Sequence, residues 1–249
     1  MNRLLYAFIV VAALASCAES YNIQGSSSLA LLDGNKLYLK VVRGKELKIL
    51  DSCEVVHGQF RFAGLLDTTL MGALYMDDKS VMPLVVERGD INVRISEAQQ
   101  NVSGSPLNDL LYSFLDKHKQ LGSRMEELDH RYSQMLLDGI DEDTIASQLT
   151  AEAAIINQQE DSLVTDFVVA NFDNVLGPFI FIQMSSSVPQ IEHIMSKAPD
   201  AFKQHPEVSD FYQHVTNSSA AALQDNTPAK ATLPQEIDDA TIQDILNGK

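Results

Sequence analysis

Two cysteines are the residues of this chain whose positions bear most directly on chemistry. Cys17 follows Leu14-Ala15-Ser16, and these residues close an apolar run from Leu4 to Leu14 that begins just after Arg3. A positive start, an apolar stretch of about a dozen residues and small residues at a cut site describe a secretory signal peptide, too short to span a bilayer as a stable helix. A Cys directly after the small pair resembles a bacterial lipobox, in which the thiol becomes a lipid thioether and the acylated residue becomes the new N-terminus. Acyl chains contribute about 0.8 kcal/mol per buried methylene, and two or more chains anchor stably where one does not. The predicted partner of Cys17 is therefore a membrane. Ala13-Leu14-Ala15 also satisfies an ordinary A-x-A site, which would leave Cys17 a plain residue near the end of a soluble secreted protein. The short signal and the position of the cysteine favour the anchor.

With Cys17 acylated, Cys53 is the one remaining cysteine, so neither an intrachain disulfide nor a C-x-x-C pair can form. It lies in Asp51-Ser52-Cys53-Glu54, where two carboxylates disfavour the thiolate, and it reads as a small strand residue. The other candidates read as structure. Arg88-Gly89-Asp90 matches an integrin-type tripeptide but sits between two alternating runs where a hairpin turn is needed. The acidic run Asp138 to Asp143 lacks the spacing and closing Glu of a calcium loop, and helix capping accounts for it. His118 falls on an apolar helical seam, as a core or rim residue finding one hydrogen bond. His57, His130, His193, His205 and His214 show no metal-ligand spacing. Nucleophile elbow, phosphate loop and dinucleotide fingerprint are absent from the sequence, so no catalytic, cofactor-binding or metal residue is assigned.

Charge narrows the partners. Residues 17 to 104 carry 9 Lys plus Arg against 11 Asp plus Glu, whereas residues 105 to 249 carry 8 against 23. An acidic surface of that kind repels phosphate backbones, which excludes DNA and RNA as partners. Its plainest role is solubility. The chain has no Trp, which argues mildly against sugar stacking and so against a glycan-binding or glycan-hydrolysing role.

The elements that would carry any site change period part-way along the chain. From 21 to 104, turn dipeptides (Asp33-Gly34, Arg43-Gly44, His57-Gly58, Asp77-Asp78, Arg88-Gly89) separate alternating runs such as Leu37, Leu39, Val41 and Ile91, Val93, Ile95. That predicts six to eight short antiparallel strands, as a sandwich or a partly open barrel. Ser105-Pro106 then opens a helix as N-cap and first residue. Leu107, Leu111, Phe114, His118, Leu121, Met125, Leu128, Tyr132 and Met135 recur at steps of four and three, ended by Asp138-Gly139. A second stripe, from Ile145 to Phe167, makes the pair a long antiparallel hairpin, with Asp141 or Asp143 as its cap. Short helices follow at 176–184, 189–196 and 206–215, and the composition from 217 to 231 reads as disordered. The expected organisation is a signal peptide (1–16), an anchor linker (17–20), the β-domain (21–104), a helical region (105–215) and a mostly disordered acidic tail (216–249). The fold class is α+β.

Several ordered short motifs carry a family resemblance: Tyr21-Asn22-Ile23-Gln24-Gly25, Gly58-Gln59-Phe60-Arg61-Phe62-Ala63-Gly64, Glu87-Arg88-Gly89-Asp90-Ile91 and Ser103-Gly104-Ser105-Pro106-Leu107-Asn108, with Asn171 to Gly177 further on. They resemble an uncharacterised domain that precedes the thioredoxin-like module of envelope lipoproteins related to thiol:disulfide interchange proteins. The resemblance implies an accessory module at the bacterial cell envelope, at the outer membrane rather than the inner. It brings no catalytic residue, because a polar tail stands where the redox module would begin. The expectation is a lipid-anchored, non-catalytic module that binds a protein or small molecule and uses no cofactor. The alternative is an accessory role in envelope thiol-disulfide metabolism, through Cys53 and a separate thioredoxin-like partner.

Overall fold

A computed structural model describes residues 19–44 and 46–224. The signal peptide, Cys17 and the tail beyond 224 lie outside the described residues.

Among the described residues eight strands form two four-stranded sheets: β1 (Glu19–Ser27), β2 (Lys36–Arg43), β3 (Glu46–Glu54), β4 (Gln59–Leu66), β5 (Leu70–Met76), β6 (Lys79–Val86), β7 (Gly89–Ile95) and β8 (Gln100–Ser103). The strand orders are β4-β1-β7-β8 and β3-β2-β5-β6. The expected alternation holds: Ile23, Phe62, Ile91, Val93 and Val102 of the first sheet face Leu37, Leu39, Leu74 and Leu84 of the second, all nearly inaccessible. In the first sheet each of two cross-strand pairs sets a glycine against an aromatic, Gly25 opposite Phe60 and Gly64 opposite Tyr21. A Cβ on either glycine would collide with the ring that lies over it.

Two features differ from a simple antiparallel meander. β1 pairs with β7 in parallel, and the segment around Arg88-Gly89 is a corner between sheets, because β6 belongs to one and β7 to the other. Gly89, at φ 108°, makes that corner. Alternation reports which residues face the core but carries no information on which neighbour a strand takes, so the hairpin expected there was a local inference that long-range pairing overrides. His57 and Gly58, with φ 52° and 70°, likewise form a tight turn that leads from β3 in one sheet to β4 in the other.

Six helices follow among the described residues: α1 (Pro106–Leu137), α2 (Glu142–Ala170), α3 (Leu176–Met184), α4 (Val188–Lys197), α5 (Asp200–Lys203) and α6 (Pro206–Gln224). The α1–α2 hairpin closes as its sequence demands. Gly139, at φ 80°, donates to Leu136 O, and Ile140 N donates to Met135 O, the paired bonds of a glycine-ended helix. Asp141 caps α2, accepting from Thr144 N at 2.9 Å and Thr144 Oγ1 at 2.7 Å. The near half of the hairpin joins the main core, with the Phe114 and Phe167 rings 4.3 Å apart. The far half has its own small core of Leu128, Ile145, Leu149 and Ile156. α6 runs to Gln224, so residues 217–224 are helical where the sequence reading expects disorder. The run Ala220-Ala221-Ala222-Leu223 has the propensity to extend a helix already started.

The start of α1 is held by an arrangement that local sequence does not announce. Ser105 occupies the N-cap position with extended backbone but makes no cap bond to its own helix. Glu87, 7% exposed at the end of β6, caps instead: its Oε1 accepts from Leu107 N at 2.9 Å and Asn108 N at 3.1 Å. Asn108, fully buried, accepts from Val85 N at 2.9 Å and donates to Val85 O at 2.7 Å and Ser105 Oγ at 2.9 Å. The carboxamide thus takes the place of a further strand on the edge of β6. One position along, Tyr112 Oη donates to Pro83 O at 2.8 Å, and Pro83, on the same outward-facing register, has no N–H to satisfy.

Replacing Asn108 by Ala strips both backbone groups of Val85 of their partner inside the protein, and an unsatisfied buried group costs about 1–3 kcal/mol. Urea denaturation of Asn108→Ala is expected to give a loss of about 3 kcal/mol. Asn108→Asp, which keeps the shape but presents an acceptor to Val85 O beside Glu87, is expected to lose at least as much. A loss of a few tenths would show that the contact carries no structural weight.

Candidate functional site

The outer face of the second sheet is only partly covered. On it lie Val42 of β2, Leu47 and Ile49 of β3, Met71, Ala73 and Tyr75 of β5, and Pro83 of β6, in register across the strands. Helix α3 crosses above with Pro178, Phe179 and Ile182, and the start of α6 closes one wall with His205, Pro206 and Glu207. Between floor and wall is a groove of about 630 Å³, within the range of small-molecule sites. Its lining is largely apolar.

Polar groups are few and placed at the α6 wall. Burial pushes the Glu207 carboxyl above its ordinary value, and His205 beside it pulls part of the way back. His205 Nδ1 is buried without a hydrogen-bond partner, one of two such side-chain atoms among the described residues, with Ser185 Oγ. An unpaired ring nitrogen and a half-buried carboxyl are costly in an apolar setting unless something meets them. Lys40, by contrast, is already engaged: its Nζ lies 4.3 Å from the Tyr75 ring centroid, 3.3 Å from Asp77 O and 3.8 Å from Asp78. The arrangement can therefore take up an apolar body and offer polar contacts to one end of it. It contains no nucleophile paired with a base.

The residues singled out in the sequence lie elsewhere. Cys53, on β3 opposite Leu37, is half-buried, and burial pushes its thiol up, with Asp51 adding and the Arg61 backbone N–H partly offsetting. His118 Nε2 meets Glu160 Oε1 at 2.9 Å across the hairpin, the rim role expected of it. Asp90 of the Arg88-Gly89-Asp90 tripeptide accepts from Asn22 Nδ2 at 2.6 Å, and Asn22 Oδ1 in turn accepts from Arg61 Nε at 2.8 Å. Among the described residues no three His, Cys, Asp or Glu side chains converge as a metal site. The groove itself escaped the sequence because its lining comes from three distant segments, 42–47, 69–83 and 175–207. The signal available was His205-Pro206-Glu207 as a helix start, which marks an end but not what the end faces.

Residues 21–111 match a family described as a domain of unknown function (DUF4369). The match spans the sandwich and runs into α1 far enough to include Asn108 and Leu111. No curated protein matches the chain.

Because the Glu207 carboxyl titrates above its unfolded value, its contribution to stability is complete at pH below about 4 and is lost as pH rises through the folded value. Glu207→Gln removes that loss. The melting temperature of the variant relative to the parent is expected to climb across this interval and level off above it. A difference that does not change with pH between 4 and 8 would contradict the burial assigned to Glu207.

Proposed function

We propose that this protein is a lipid-anchored component of the bacterial cell envelope, at the outer membrane, and that it works as a non-catalytic binding module. The observation that carries the binding role is the groove between the second sheet and helices α3 and α6, with an apolar floor and, at one wall, the unpartnered His205 Nδ1 and the half-buried Glu207 carboxyl. Its ligand is an amphiphile of small-molecule size, with a linear or ring hydrocarbon body on Ala73, Met71 and Phe179 and a hydrogen-bonding head at His205 and Glu207. The head is neutral or cationic, since an anion would meet Glu207.

Membrane attachment rests on Cys17 and the signal ahead of it. Among the described residues no helix is long and apolar enough to cross a membrane. An accessory role beside a thioredoxin-like partner, which the family resemblance brings to mind, has weaker support. Cys53 is half-buried and its thiol is pushed up, the opposite of a reactive thiol.

Two measurements test this reading. The neutral dye N-phenyl-1-naphthylamine is expected to brighten on binding the folded protein, and Ala73→Phe, which fills the floor, to weaken binding about tenfold or more, roughly 1.4 kcal/mol, with an unchanged circular dichroism spectrum. Equal binding by the two proteins removes the groove from consideration. Metabolic labelling with palmitate is expected to mark the protein and to fail for Cys17→Ser, which then leaves the membrane fraction. A labelled Cys17→Ser protein rules out this anchor.

A further inference from the structure

We propose that the end of the sandwich at which β1 begins is seated on the lipid surface, so that the body rests against the bilayer with the α1–α2 hairpin pointing away from it. The inference rests on the acylation of Cys17 and extends it from an anchor to an orientation. Glu19, the first residue of β1, pairs with Leu66, and Tyr21 pairs with Gly89. Leu70 pairs with Val86, and Arg43 with Glu46. These pairings bring the first residue of β1, the β2–β3 turn, the β4–β5 connection and the β6–β7 corner to one end of the sandwich. Only one residue separates Cys17 from Glu19. An extended chain gains at most about 3.6 Å per residue, so a Cys17 thioether in the membrane holds this end within about 10 Å of the headgroups. A leash of that length leaves the body no room to stand off.

The surface at this end suits the contact. Leu65, opposite Ser20 on β4, is 73% exposed and Leu47, next to the β2–β3 turn, is 49% exposed. Arg43, Lys48 and Arg88 belong to the same end by sequence and register, balancing Glu46, Asp67 and Asp90. The far half of the hairpin is very different, with eight acids against two arginines between residues 121 and 152. α1 starts beside Val85 and reaches Pro83 at Tyr112, so it runs antiparallel to β6 and away from the lipid end. Like charge between the acidic arm and anionic headgroups favours the same orientation.

The chain has no Trp, so single substitutions report position without labelling. Lipidated L65W, L47W and L137W proteins, each reconstituted in phosphatidylcholine vesicles brominated on the upper acyl chain, are compared by fluorescence. L65W and L47W are expected to be quenched by about twofold or more, as for groups dipping into the interface, and L137W to be unaffected. Equal quenching at the three positions, or none at L65W and L47W, overturns the orientation. The mass of the N-terminal peptide from the same preparation reports acylation separately. Should Cys17 prove unmodified, the same proteins in a Cys53→Ala background, coupled through Cys17 to a maleimide phospholipid, test the seating apart from the natural anchor, with the same quenching results deciding it.

Discussion

The contact on which the rest of the architecture depends is the buried amide of Asn108 against the edge of β6. A sheet edge has unpaired N–H and C=O groups that must be met by another strand, by water or by a cover. Here one carboxamide satisfies both backbone groups of Val85, the Tyr112 hydroxyl satisfies Pro83 O, and Glu87 returns the favour by accepting from the first N–H groups of α1. Each element thereby completes the other: the sheet edge needs the helix start, and the helix start needs the carboxylate at the strand's end. Because these bonds are buried, a shift of α1 along β6 would leave several groups unpaired at once. The direction of α1, and with it that of the hairpin, follows from this register. It is consistent that the family match runs past the last strand to Leu111 and so takes in Asn108.

Much of the fold could be read from the chain because its elements obey local rules. The helix ends at Asp138-Gly139 and Asp141 are set by φ > 0 at Gly139 and by a side-chain cap, which are properties of single residues. The alternation of Leu37, Leu39 and Val41, or of Ile91, Val93 and Ile95, reports burial on one face whatever the partner. What could not be read was partner choice. The parallel β1–β7 pairing and the corner at Arg88-Gly89 depend on contacts across the whole sandwich. Ser105 illustrates the same limit: its position at the helix start was correct, yet Glu87, eighteen residues earlier in the chain, performs the capping. The groove was the least readable feature, since the floor and the wall have no common segment.

The hairpin shows how one sequence seam can serve two packing tasks. The repeat from Leu107 to Met135 is continuous, but its first third presses Leu111 and Phe114 into the main core, together with Val164 and Val168 of α2. Beyond Leu121 the two helices pack on each other around four buried residues, helped by Arg131–Glu152 at 2.9 Å and Arg124 Nη1 to Gln159 at 2.7 Å. Exposed pairs of that kind contribute little, roughly 0–1 kcal/mol each. The outer arm therefore has few buried apolar contacts per residue, the condition under which part of a protein opens without unfolding the whole.

The groove is where the molecule departs from its own rules. Elsewhere among the described residues the buried side-chain polar atoms other than Ser185 Oγ are met: the Asn108 side chain makes four bonds, Asn171 donates to Phe167 O and accepts from Asn174, whose Oδ1 in turn accepts from Leu176 N at the start of α3. At the α6 wall, His205 Nδ1 has no partner and Glu207 holds a carboxyl whose charged form is disfavoured by its surroundings. A chain selected for stability alone would fill the floor above Ala73 and replace Glu207 with a neutral residue, since each change removes a cost and neither position supports the Asn108 contact. Local departures of this kind concentrate at sites that serve a purpose other than folding. The same wall contains both the unpaired nitrogen and the half-buried acid, facing an open apolar floor, which makes the groove the place to test the proposed binding role.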